Sequence, residues 1–211
     1  MLAVIKLEVN KDIPPRTFVV EMSVKIEHFL NEIVCQLLQV KAEDSRSFGH
    51  TSQSLSFNAK ANLLLDLNYL DKEHVKKFQI FMEVRNKFAH VYSVDTFEKC
   101  FALTGNYNNL KRIFEVDEDG ENKEEDMTYM FISLSIDLAN TLSELRDRIY
   151  KEMAIKYTQR RFIEAIKSKR QEFIDAYPEK GEAITEFIEY IKDELKKEVD
   201  EKIENNTPPH T

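Results

Sequence analysis

The sequence predicts an all-α protein. Three observations lead there: only four glycines and five prolines in 211 residues, a charged fraction of 32%, and apolar residues that recur at intervals of three and four. Hydrophobic residues make up 42% of the chain, enough for one sizeable core with an extension. The net charge of −8 argues against a general nucleic-acid coat protein and leaves room for a local basic site. Cys35 and Cys100 lie far apart, with no CxxC and no Cys/His cluster. Both read as reduced core thiols, and no disulfide framework, metal or cofactor is implied. The N-terminal stretch has no basic leader, and Lys6 and Glu8 break its apolar run. Neither signal peptide nor membrane span is expected, which makes the chain cytoplasmic.

Each element follows in order. Residues 1–17 are an arm that alternates weakly over 2–9 and ends at Pro14 and Pro15. From Phe18 to Val40 the residues Val19, Met22, Ile26, Phe29, Ile33, Leu37 and Val40 keep to one helical face. Residues 41–56 are rich in Ser and turn formers and form a loop. Ser56 caps a second helix over 57–69, and Asp71 caps a third that carries Val75, Phe78, Phe81, Met82, Phe88 and Ala89. Ser93, Val94 and Asp95 offer a cap for a short helix over 96–104, stopped by Gly105. Residues 115–126 hold eight acidic residues and one lysine, a composition that favours a solvated loop. Gly120 stands where an EF-hand would not have its glycine, so this is no calcium loop. Helix resumes from Thr128 to about Tyr177, interrupted by Pro178 and Gly181. A last helix aligns Ile184, Ile188, Ile191, Leu195, Val199 and Ile203 in a narrow stripe. That stripe packs on its own domain or on a coiled-coil partner. The expected organisation is therefore an arm (1–17), a helical domain (18–150), a helical extension (151–204) and a disordered tail (205–211).

One residue does not fit its helix. Arg85 follows Phe78 by seven residues, Phe81 by four and Met82 by three, and precedes Phe88 by three and Ala89 by four. These intervals put a permanent cation within the apolar stripe. It must pair with a carboxylate such as Asp66 or Asp95, meet a ligand anion, or lie at an edge. His90 comes five residues later, about 140° round an ideal helix, so the two diverge if the helix continues regularly. They converge only if the helix ends near His90 or if they meet across a symmetric interface. Together, an arginine and a histidine can cleave RNA without a metal. Histidine as a residue type exchanges protons near neutrality with the ribose 2′-hydroxyl or the leaving oxygen. The arginine fork stabilises charge on the phosphoryl oxygens. Asn86 is placed to orient either partner or the phosphate.

The string RNKFAH resembles the Rx4-6H signature of the HEPN superfamily. The preceding SFNAKANLLLDLNYLDKEHVKKFQIFMEV and the following TFEKC are similar to its mannitol-repressor (MltR) branch, over residues 18–104. This resemblance implies an antiparallel helical bundle that dimerises, so that both protomers' motifs line one cleft. Arg85, Asn86 and His90 then take the catalytic positions of a metal-independent endoribonuclease of toxin-antitoxin, phage-defence or RNA-processing type. RNKFAHVY further matches the Rx4HxY form of HepT-type toxins, in which a partner nucleotidyltransferase antitoxin modifies the tyrosine. Tyr92 holds that place; the plainer reading is a packing residue after a helix end. The mannitol-repressor branch is itself associated with regulation, which makes a non-catalytic transcriptional regulator or interaction module the alternative function.

Lys156, Arg160, Arg161, Lys167, Lys169 and Arg170 face only Glu164 in sequence. They are the candidates for RNA phosphate contacts, set against a simply solvated helix face, with Tyr157 and Phe162 available for stacking. His28, His50, His74 and His210 lack a ligand pattern.

Overall fold

A computed structural model of the chain describes residues 13–48, 54–114 and 123–205. Among these residues every regular element is helical: α1 (Pro15–Leu37), α2 (Phe57–Asp66), α3 (Lys72–His90), α4 (Phe97–Thr104), α5 (Tyr107–Phe114), α6 (Lys123–Ala176) and α7 (Gly181–Asn205), with a 3-10 turn at Pro178–Lys180. The protein is all-α. No described helix is long and apolar enough to cross a membrane.

The chain divides into two compact units between Leu145 and Arg146. In the first, α1, α2 and α3 pack on one another and α4 packs on α3. Val19, Met22, Ile26, Phe29 and Ile33 of α1, Phe78, Phe81 and Phe88 of α3, and Phe131, Leu134, Leu138 and Leu142 of α6 are all buried. Phe131 is the hub. Its ring stacks on Phe81 at 5.3 Å and meets Phe97 at 5.4 Å and Phe18 at 6.2 Å, joining α6 to α3, α4 and α1. A polar strut reinforces the α3–α6 contact. Lys77 lies 3.2 Å from Asp137, and although burial works against its charge, the Asp137 and Glu73 carboxylates raise its pKa.

Caps fix where these helices begin. The Ser56 hydroxyl accepts from the Ala59 amide at 3.2 Å and the Asp71 carboxylate from the His74 amide at 2.8 Å, which satisfies donors that a helix start leaves open. The short helix is capped by Thr96, whose hydroxyl accepts from the Lys99 amide at 3.3 Å, and not by Ser93–Asp95. Gly105 closes it with a φ of 69°, a conformation that glycine adopts freely.

Other boundaries need correction. α1 begins at Pro15, so residues 15–17 leave the expected arm, and it ends at Leu37, so Val40 falls outside it and is exposed rather than buried on the helical face. The second helix stops at Asp66 rather than 69. α5 was not anticipated. Residues 123–126 of the acidic segment are helical, not loop; acidic side chains in a first turn complement the helix dipole. The weak strand over 2–9, the acidic residues 115–122 and the tail 206–211 lie outside the described residues, and of the expected disordered tail Asn205 closes α7.

Glu124 has a further role. Its carboxylate accepts from the Phe97 amide at 2.6 Å and the Glu98 amide at 2.7 Å, so the start of α6 caps the start of α4. Glu124→Ala strips both amides of their acceptor and is expected to cost about 1–3 kcal/mol, read as a lower urea midpoint at unchanged slope. A midpoint equal to wild type would show that water replaces the carboxylate.

Both thiols are free and buried. Burial raises the pKa of Cys35, against the pull of Lys60, and pushes that of Cys100 up to about 12. Cys100 donates weakly to the Val84 carbonyl at 3.8 Å. Because the thiolate is the reactive form, native protein at neutral pH should resist iodoacetamide while the unfolded chain takes up two equivalents, one per cysteine. Rapid native labelling of Cys100 would contradict this packing.

In the second unit, the later part of α6 and α7 form an antiparallel hairpin around the 3-10 turn. The Arg170 guanidinium donates to the Thr185 hydroxyl at 2.9 Å, which sets the register. Ile188 is buried, and Ile184, Ile191, Leu195 and Val199 are partly covered, so the α7 stripe packs on α6.

Candidate functional site

The site residues sit on the last turns of α3. This helix remains regular through His90, and Val91 then turns to extended backbone (φ −103°, ψ 109°). A turn follows, closed by the Val94 amide on the Val91 carbonyl at 3.1 Å. Arg16, near the start of α1, holds it. Its guanidinium donates to the carbonyls of Val91 and Tyr92 at 3.1 Å each and of Val94 at 2.7 Å. One cation thus satisfies three carbonyls where the chain leaves the helix, and fixes the backbone immediately after His90.

Arg85 is half-buried, and its guanidinium donates to the Asn86 side-chain oxygen at 3.0 Å. Its Nε is buried and finds no acceptor among the described residues. Asp95, one of the carboxylates offered as a partner, instead pairs with Lys99 at 2.7 Å, and the Lys99 hydrogen bond holds its pKa below the usual range. No ion pair joins Arg85 to a described residue. The remaining expectations for a buried cation were a ligand anion or an edge, and the half-buried setting suits both.

His90 is exposed at the end of α3. Because the helix is regular through it, Arg85 and His90 point about 140° apart. Arg85 and Asn86 are hydrogen-bonded; α3 ends at His90, and among the described residues no hydrogen bond or ion pair joins His90 to either of them. Tyr92 is 97% exposed, which removes the packing reading and leaves its hydroxyl accessible. From Val84 to Val94 the chain carries Arg85, Lys87 and His90 and no acidic residue. The two permanent cations, Arg85 and Lys87, lie in the last turns of α3, where positive charge is favoured, with Glu83 and Asp95 flanking the stretch.

The second set of candidates lies on the hairpin. Lys156, Arg160 and Lys167 line an open groove with Lys192 and Lys196 of α7, floored by Ile163 and Val199. Glu164, Asp193 and Asp200 also border it. Arg160 and Arg161 both reach Glu164, at 3.1 and 3.9 Å, and Lys169 pairs with Glu172 at 2.8 Å. Arg170 is engaged with Thr185. The six basic residues are therefore not one patch: three line the groove, while Arg161, Lys169 and Arg170 do not. Sequence reasoning missed Lys192, Lys196 and Arg16.

Comparison with family models, curated proteins and solved structures finds no match to this chain.

Proposed function

We propose that the protein is a metal-independent endoribonuclease of the HEPN type, working in a toxin-antitoxin or phage-defence setting. The observation that carries this reading is Arg85: a half-buried guanidinium on an apolar helix face, bonded only to Asn86 among the described residues, within the string RNKFAHVY. A cation so placed suits an anionic ligand, and a scissile phosphate is the anion that the adjacent histidine could act upon. His90 takes the proton from a ribose 2′-hydroxyl, the 2′-oxygen attacks phosphorus as the bond from phosphorus to the 5′-oxygen breaks, and the 5′-oxygen leaves with the proton that His90 passes on. Arg85 stabilises charge on the non-bridging oxygens. Since the two side chains diverge on one helix, the site is composite, with Arg85 of one copy and His90 of another facing a shared cleft. The lysine-lined groove supplies further phosphate contacts. Tyr92, fully accessible two residues after His90, is where a nucleotidyltransferase antitoxin would act.

The divergence of Arg85 and His90 also favours a second reading, a non-catalytic regulator or interaction module that keeps the motif as structure. Incubation with RNA in EDTA separates the two. Fragments ending in 2′,3′-cyclic phosphate and 5′-hydroxyl are expected for the ribonuclease. Intact RNA, together with a stable protein complex that Arg85→Ala weakens, would establish the regulator.

A further inference from the structure

The hairpin has a second side. Four large aromatic side chains stand open to solvent on it: Phe162 at 49%, Phe173 at 57%, Phe187 at 62% and Tyr190 at 59% exposure. At 100° per residue, Phe162 and Phe173 lie about 20° apart on α6, in line with the half-buried Ile155 and Ile166. On α7, Phe187 and Tyr190 are displaced from the buried Ile188 in the same rotational sense as Phe162 and Phe173 are from the inward-facing Ile163. In an antiparallel pair, equal rotational sense means the same side. The Arg170–Thr185 hydrogen bond sets Phe187 beside residue 168 and Tyr190 beside residue 165. All four rings thus fall within about 16 Å of hairpin length. The lysine groove, whose lining residues turn the opposite way, occupies the other side.

A two-helix hairpin cannot bury such a face by itself. Each half-exposed ring offers on the order of 100 Å², so two copies would contribute about 800 Å² from these rings alone. That is roughly two-thirds of the ~1,200 Å² lower bound for a specific interface, before the flanking isoleucines and charged rims are counted. The charges indicate what covers it. Residues 146–176 carry nine Lys and Arg against five Asp and Glu, whereas residues 181–205 carry four against nine; of these charges, Lys151 and Lys169 on α6 and Glu194, Glu198 and Glu201 on α7 turn to the aromatic side by the same count of 100° per residue. One arm is basic and the other acidic.

We propose that this aromatic face is a self-association surface, on which the hairpin of a second copy packs to form an antiparallel four-helix bundle. A two-fold axis parallel to the helices sets the basic arm of each copy against the acidic arm of the other, at the same level and with opposite direction. The lysine groove of each copy then faces outward and stays free. This inference rests on the hairpin alone and does not depend on the ribonuclease reading.

Sedimentation of the full chain tests it. Wild type should be dimeric or larger at about 50 µM. Phe162→Asp/Phe187→Asp should weaken association at least about tenfold, because buried aromatic anchors dominate interfaces, with helix content by circular dichroism unchanged. Phe173→Asp/Tyr190→Asp should do the same, which guards against one pair merely unfolding the hairpin. Raising salt should weaken the wild-type dimer as the arm charges are screened. A wild-type monomer at this concentration, or association within twofold of wild type in both double variants, overturns the proposal. Binding of the aromatic face to lipid vesicles or to a different protein, with no self-association, would overturn it as well.

Discussion

Alanine at Arg85 or at His90 is expected to lower RNA cleavage by about 10²–10⁴-fold while the chain stays folded. The stability half of this expectation comes from burial. His90 is exposed on the last residue of its helix, where truncation ordinarily changes stability by about 0.5 kcal/mol or less. Arg85 is half-buried, but no described residue forms an ion pair with it, so its removal orphans no carboxylate. The activity half comes from chemistry. Lysine at position 85 should rescue poorly, because a point charge cannot present the planar fork that meets two phosphoryl oxygens. Mixing the two alanine variants is the sharper experiment. If one site draws Arg85 and His90 from different copies, random pairing of equal amounts restores about a quarter of wild-type sites. A mixture as inactive as its components would place both groups of a site on one chain, against the 140° divergence. Full activity in either single variant would end the ribonuclease assignment.

What could be read from the sequence was what short-range chemistry determines. Ser56, Asp71 and Gly105 announced helix ends because a cap or a left-handed turn is settled within three or four residues. The stripe of α3 was legible from Val75 to Phe88, and the same spacing exposed Arg85 as misplaced. α5 was not legible: YNNLKRIF is short and polar, and only Leu110 of it is buried. The start of α6 was hidden by its charge, since an acidic run reads as loop until its place in a first turn is known. Arg16 gave no local signal because the carbonyls it serves lie 75 to 78 residues away. The basic stretch illustrates the same limit. Sequence showed six cations on one helix, but the groove that sorts them is half built by α7, and intrahelical carboxylates engage three of them. The aromatic side of the hairpin escaped for a related reason. Phe162 and Phe187 are 25 residues apart in sequence and share a side only once the hairpin has folded.

Phe131→Ala should be the most damaging single truncation in the first unit, at about 3–5 kcal/mol. Its ring is fully buried and touches Phe18, Phe81 and Phe97, so the cavity opens where four helices meet. These helices come from distant parts of the chain and cannot collapse onto the gap independently, which places the cost toward the upper end of the range. Against a total stability of about 5–15 kcal/mol, that is enough to bring the unit near its unfolding midpoint. Phe187→Ala provides the contrast. Its ring is 62% exposed, so little burial is lost on folding, and its effect should appear in self-association instead. Urea unfolding of both variants at low protein concentration checks the pair. Phe131→Leu, which keeps more of the volume, should recover part of the loss. If Phe131→Ala unfolds at the wild-type midpoint, the hub is not where the stability of this unit lies. The site geometry would then need another support, because the Phe97 that Phe131 touches begins the very helix whose preceding turn follows His90.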